Sequence, residues 1–443
     1  MKRCILFFIF AFTNIHASVL YEELFQPVQF SIDASDVNVE KTSITFEKNS
    51  NEIATKILEN IKQNLQITGL FRVLNSEINV ILPIEKNIKK FLNNELNEII
   101  KLAYGNEKTD SIFTSYMIND ILYVKLWDII DSRELFELKY DIKKNNVEKV
   151  ANLISDEIFK KITGEKVNFF DTKLLFVADD ANNKKRITIM DFNGSNLKYL
   201  TDGRRLVLTP IFSKYNKNEI IYLEFVNDVP KLFKLNLITN RREMIRERGK
   251  IDDEMTFSPN FEPTGSINEI VCSKSKDGDI NLYRINLEHN KITRITKDTK
   301  AIHATPSYSP DGKKIVFVSN KTEKRKLYTI NIDGTGMEQI TINWGQYDKP
   351  VWSPDGKLIA FIRQMMGEFY VGLITPNGKN ERLLIHDYLI EGIKWSPNSR
   401  YLIYTKQKRD ENKIGIYTLD IITGREYKIP TPNDINVFDV DWI

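Results

Sequence analysis

Cysteine is nearly absent from this 443-residue chain: there are 2, Cys4 and Cys272. One of them falls in the first few residues, so a disulfide framework is excluded. Histidine is almost as scarce, with 4. No Cys or His pair has metal-ligand spacing, so neither a metal site nor a cofactor is expected. No Gly-x-Ser-x-Gly elbow occurs and no phosphate-cradling Gly-x-x-x-x-Gly-Lys, which leaves no catalytic residue to name on motif grounds. Neither sign of charge dominates: Lys+Arg 63 against Asp+Glu 60 gives +3, and that balance argues against a nucleic-acid partner. Gly (19) and Pro (14) are too few for a fibrous or low-complexity protein. After residue 12 no apolar run is long enough to span a bilayer.

What is present is a core-forming composition, 42% hydrophobic and 28% charged. At roughly 100–200 residues per domain, the length predicts two or three domains. Lys2 and Arg3 precede an apolar run, Cys4 to Phe12, and Ile15-His16-Ala17 offers a cleavage site before Ser18. Residues 1–17 therefore read as a secretory signal peptide. Nine apolar residues cannot cross about 30 Å of hydrocarbon as a helix. The mature protein is expected to be exported, monomeric and without direct membrane insertion. Its charge becomes 61 − 60, or +1.

The chain changes character near residue 170. Before it, Ile53, Ile57, Leu58, Ile61 and Leu65 share one helical face, and Ile88, Phe91, Leu92, Leu96, Ile99 and Ile100 another. Val147 to Ile162 form a third helix that ends at Gly164. Strands are expected at Ser111–Met117, Ile121–Trp127 and Arg133–Tyr140, with short ones at Pro27–Ile32 and Asn79–Pro83. Together these make an α/β domain over 18–165, followed by a linker at 166–171.

Beyond the linker the sequence repeats. An aromatic residue followed by Ser recurs at Phe212, Phe257, Tyr308, Trp352 and Trp395, and Trp442 is a sixth aromatic. The spacings are 45, 51, 44, 43 and 47. Periods of 40–50 residues with four strands each are the mark of propeller blades. Ser-Pro-Asp-Gly at 309–312 and 353–356 is turn chemistry, with Gly supplying a positive φ. Asp333-Gly334 and Asn377-Gly378 are hairpin turns. Second-strand patterns occur six times, starting at Leu174, Glu219, Glu269, Lys314, Leu358 and Leu402. The first has no aromatic strand before it, and Val437–Ile443 has no second strand after it. The two ends match if the C-terminal strand closes the first blade. The expected fold class is thus an N-terminal α/β domain followed by an all-β six-bladed β-propeller, residues 172–443, closed by the C-terminal strand.

Inner strands surround the channel of a propeller, so the residues just before each aromatic-Ser pair sit at one mouth. These include Leu208, Thr209, Ile251, Glu254, Ala304, Thr305, Asp348, Lys349, Glu391, Gly392 and Asp439. Asp252-Asp253-Glu254 makes that mouth acidic and could hold a cation, although a solvated turn is the simpler reading. His289 and His303 read as loop imidazoles, the blade aromatics as core, and the run Arg241 to Arg248 as a solvated outer face.

Ile154-Ser-Asp-Glu-Ile-Phe-Lys-Lys-Ile-Thr-Gly164 followed by Phe170-Asp-Thr-Lys-Leu-Leu-Phe-Val177 closely resembles the junction of the TolB family, components of the Tol-Pal cell-envelope system. The resemblance covers essentially the whole mature chain. It implies a periplasmic, non-enzymatic adaptor that supports outer-membrane integrity and outer-membrane constriction during cell division. The implied partners are the lipoprotein Pal and the inner-membrane protein TolA, with other envelope proteins as further possibilities. By position, Pal would meet the channel mouth at Ile251, Asp252, Asp253, Glu254, Ala304, Thr305, Asp348 and Glu391. TolA would meet the mature N-terminus, Ser18, Val19, Leu20, Tyr21, Glu22, Glu23, Leu24 and Phe25. The alternative is a propeller lyase or hydrolase acting on envelope glycans with Asp252, Asp253, Glu254 and His303.

Overall fold

The computed structural model describes residues 41–46, 49–75, 109–131, 133–143, 146–180, 184–213, 215–245, 256–263, 269–276, 279–289, 291–297 and 301–443. The signal peptide, the N-terminal segment Ser18–Phe25, the helix expected at Ile88–Ile100 and the strands at Pro27–Ile32 and Asn79–Pro83 lie outside these residues, as do Ile251, Asp252, Asp253 and Glu254.

Two helices in the N-terminal region form where apolar residues recur at helical spacing. Helix α1 (Glu52–Ile67) buries Ala54, Ile57, Leu58, Ile61 and Leu65 on one face. The Asn51 side chain caps it by accepting the Ala54 N–H at 3.1 Å. Helix α2 (Val147–Thr163) starts in the same way, with Asn146 accepting the Lys149 N–H at 2.7 Å. It stops at Gly164, whose φ of 77° only glycine takes at little cost. The two helices pack on a five-stranded sheet of β1 (Thr42–Phe46), β2 (Phe71–Asn75), β3 (Ser111–Ile118), β4 (Ile121–Asp128) and β5 (Arg133–Asp141), in the order β2-β1-β3-β4-β5. β1 pairs in parallel with both β2 and β3, while β3-β4-β5 is an antiparallel meander. β1 and β2 were not expected from the sequence; each is five residues long, too short for a period-2 pattern to stand out.

Six four-stranded antiparallel sheets follow. In blades 2 to 6 the inner strands are Val207–Phe212, Thr256–Pro263, His303–Tyr308, Gln346–Trp352 and Leu389–Trp395. Blade 1 takes its inner strand from Asn436–Trp442, which pairs antiparallel with Lys173–Asp179. Backbone bonds between Lys173 and Ile443 run both ways, at 3.0 and 3.2 Å. The chain end thus closes the ring. Among the described blade aromatics, Phe212, Tyr308, Trp395 and Trp442 are buried in the core and Trp352 is half-buried. Burial removes apolar area from water at about 25 cal/mol per Å², which is why the aromatic repeats at blade spacing.

One apolar cluster runs through the N-terminal sheet and into the propeller. It joins Ile154, Ile158 and Phe159 of α2 to Phe169 and Phe170, then to Phe192, Tyr401 and Trp442. Phe169 stacks on Phe170 at 4.2 Å, and Phe192 on Trp442 at 4.8 Å. Polar ties flank it. Arg425 donates to the Gly69 carbonyl at 3.0 Å, Gln63 to the Asn193 carbonyl at 3.0 Å, and Arg400 reaches Glu165 at 3.2 Å.

Candidate functional site

In blades 4, 5, 6 and 1 the inner strand breaks register against its neighbour ahead of the aromatic, between Ala304 and Ser307, Asp348 and Val351, Glu391 and Lys394, and Phe438 and Asp441, whereas in blade 3 the break falls between Phe257 and Phe261. In these four and in blade 2 the extra residue takes a left-handed backbone: Thr209 (φ 50°), Thr305 (50°), Lys349 (45°), Gly392 (64°) and Asp439 (50°). Each stands three residues before its blade aromatic, and Glu254, the sixth by position, lies outside the described residues. Gly392 is at ease there. Two threonines are not, because a β-branched residue at positive φ is a genuine outlier. Three of the five also precede proline, Pro210, Pro306 and Pro350, which itself disfavours compact backbone at the residue before it. Strain of this kind, about 1–3 kcal/mol per residue, persists only where surrounding structure over-determines it, and it gathers at functional sites.

These five residues line one cavity of about 60 Å³, together with Pro210, Pro306, Pro350, Ile393, Lys394 and Val440. The wall is apolar backbone and proline, with a few polar groups aimed along it. Thr305 is 8% exposed, and its Oγ1 has no hydrogen-bond partner among the described residues. Lys349 Nζ lies 3.9 Å from Asp439 Oδ1, and Asp439 Oδ2 accepts the Thr209 N–H at 3.1 Å. Asp441 repeats this device one step along, accepting the Phe212 N–H at 2.8 Å with Lys394 at 3.9 Å. Two carboxylates of the closing strand thus pin blade 2 against blade 1.

The sequence-derived residues divide. Thr305 is on the wall. Ala304, Asp348 and Glu391 are each the last paired residue before a bulge and fall outside the cavity lining. Asp348 is drawn to Arg325 Nη1 at 2.8 Å. The wall prolines were missed, although Thr-Pro, Thr-Pro and Lys-Pro three residues before an aromatic mark them in the sequence. His303 corrects the loop reading: it is fully buried at the start of its inner strand, edge-on to Phe317 at 5.5 Å. His289 is exposed, as a loop imidazole would be. Arg242 is also more than a solvated face. It donates to buried Glu224 at 2.6 Å and stacks over Phe233 at 4.0 Å.

Chemically, the cavity suits the tip of a side chain or loop presented by a partner. It is far below the roughly 300–1,000 Å³ of a small-molecule site. Among the described residues no group of three or more His, Cys, Asp or Glu could hold a metal ion.

The family model described as the TolB beta propeller domain matches residues 159–439. A Tol-Pal system protein TolB from Gluconobacter oxydans is 32% identical over 314 residues, 69% of this chain and 68% of the relative. One from a Wolbachia of Drosophila simulans is 33% identical over 327 residues, 72% and 75% of the two chains. The crystal structure of TolB from Acinetobacter baumannii superposes with a TM-score of 0.74 at 18% identity, covering 91% of this chain and 96% of that one. At that identity it speaks for the fold.

Proposed function

The chain belongs to the TolB family, and we propose that it acts as a periplasmic adaptor that binds Pal at the channel mouth and TolA through Ser18–Phe25, supporting outer-membrane integrity and constriction at division. The observation that carries the mouth is the strained ring itself. Five bulges aim left-handed residues into one small cavity, and strain of this kind gathers at functional sites. A cavity with a buried unpaired hydroxyl, lysine and carboxylate offers a partner loop one apolar socket and a few directed hydrogen bonds, the pattern of an interface centre. No helix among the described residues is long and apolar enough to cross a membrane.

The glycan-enzyme reading is weaker for a specific reason. Of its four candidates, His303 is closed off from solvent.

The test is a pull-down of mature protein, Ser18–Ile443, against Pal from the same organism, beside Thr305→Arg. The arginine fills the cavity and should reduce Pal capture at least tenfold while the thermal melt stays cooperative. Undiminished capture by the variant would remove the mouth from the interface. No capture by the intact protein would remove Pal.

A further inference from the structure

The junction between the α/β domain and the propeller contains a group that the adaptor reading leaves unused. Asp156, on α2, is 1% exposed. Its Oδ1 accepts the N–H of Phe169 at 2.8 Å and of Phe170 at 3.2 Å. Its Oδ2 is buried without a hydrogen-bond partner among the described residues. Among the described residues no cation forms an ion pair with it; Lys160 only draws its pKa down from a distance. Lys160, one turn along α2, is held by Glu157 at 2.5 Å. From the linker Asp171 adds like charge, and from β5 Tyr140 presents a phenol pushed up to about 12 by burial, Glu157 and Asp156. From α1 comes Asn64, which is not titratable and bonds Asn152 and Ser155. From the propeller, Arg400 is committed to Asp420 and Glu165.

A carboxylate in this position fixes the linker and also resents being there. The two phenylalanines it holds pack into the shared cluster, Phe169 against Phe159, Tyr401 and Trp442, and Phe170 against Phe159 and Phe192. Hydrogen bonds to a charged acceptor are strong, but half the group is desolvated with nothing in return. We propose that Asp156 sets how readily the linker leaves α2, sealing the junction when its carboxyl is neutral and easing it open when the carboxyl is ionised. This goes beyond the adaptor reading and stands whether or not the mouth takes Pal.

The direction follows from linkage. Burial pushes the Asp156 carboxyl up from the ordinary 3.8 to about 6, against the pull of the two backbone N–H groups. A value raised in the closed state means the closed state gains from the proton. The gain is complete below the ordinary value and is lost as pH rises through about 6. A shift of that size changes the opening equilibrium about a hundredfold in all, of which about tenfold falls between pH 5 and pH 8.

The experiment is hydrogen exchange of the Phe169 and Phe170 amides in the intact protein from pH 5 to pH 8, corrected for intrinsic rates, beside Asp156→Asn. Asparagine keeps the accepting oxygen and removes the charge. Wild-type protection should fall about tenfold across the range. Asp156→Asn should stay level and be the better protected of the two at pH 8. A level wild-type profile overturns the proposal by itself, even if the variant fails to fold. So does a variant that keeps the fall or is less protected at pH 8.

Discussion

Gly378 shows how much one residue carries beyond its turn. Asn377-Gly378 read from the sequence as hairpin chemistry, and its φ of 77° agrees. The structure adds a second constraint: a Cβ there would sit 2.6 Å from the Ile340 carbonyl oxygen. Gly334 is placed likewise, 2.7 Å from the Ile295 carbonyl, and Gly194 2.4 Å from that of Pro430. In each case the turn leans on backbone of the preceding blade. Gly164 has the same φ of 77° but nothing within 4 Å. Gly164→Ala should therefore cost only the left-handed strain, about 1 kcal/mol. Gly378→Ala should cost about 2–4 kcal/mol, since backbone must also move. Urea unfolding of the two variants separates strain from collision; equal costs would mean the blades do not meet as described. The wall threonines are the opposite case. Nothing in a Thr-Pro dipeptide announces a left-handed backbone, so Thr209 and Thr305 were legible as mouth residues but not as strained ones.

At the scale of elements, the blades could be read because an aromatic recurs once per blade on the inner strand, and at Phe212, Tyr308, Trp395 and Trp442 the neighbouring sheets bury it. Helices α1 and α2 could be read because their apolar faces, and the Gly164 that ends α2, lie in continuous sequence. The parallel strands β1 and β2 could not, being short and defined by partners far along the chain. The closing strand was legible only by counting: six second strands faced five preceding aromatic strands, with one aromatic left over. Trp442 is where that closure is most exposed to test. Its indole stacks on Phe192 and donates to Thr172 Oγ1 at 2.7 Å. Trp442→Ala removes a buried aromatic from the seam between the first and last strands, at a cost of about 3–5 kcal/mol. A lowered denaturant midpoint with an unchanged slope is expected in equilibrium unfolding. A loss under 1 kcal/mol would mean that blade 1 does not depend on its C-terminal strand.

For the whole molecule, two sheets systems share one core. The cluster that begins at Ile44 and Phe46 continues without a break to Tyr401, Ile403 and Trp442. The α/β domain and propeller should therefore unfold in a single calorimetric transition; two resolved peaks would show that the junction is only a contact. None of this docking was visible beforehand. Asn64, Arg400 and Arg425 look like ordinary surface residues until a remote partner is brought to them. The ring closure also has a consequence in time. The strand that completes blade 1 is made after every other strand of the propeller, some 260 residues after its partner at Lys173–Asp179. Until it arrives, the blade that docks on α2 keeps a raw sheet edge, so the shared core must be the last thing to set. Such remote pairing is slow. A protein built this way carries an unpaired strand edge, a template for wrong partners, through the whole synthesis of its propeller.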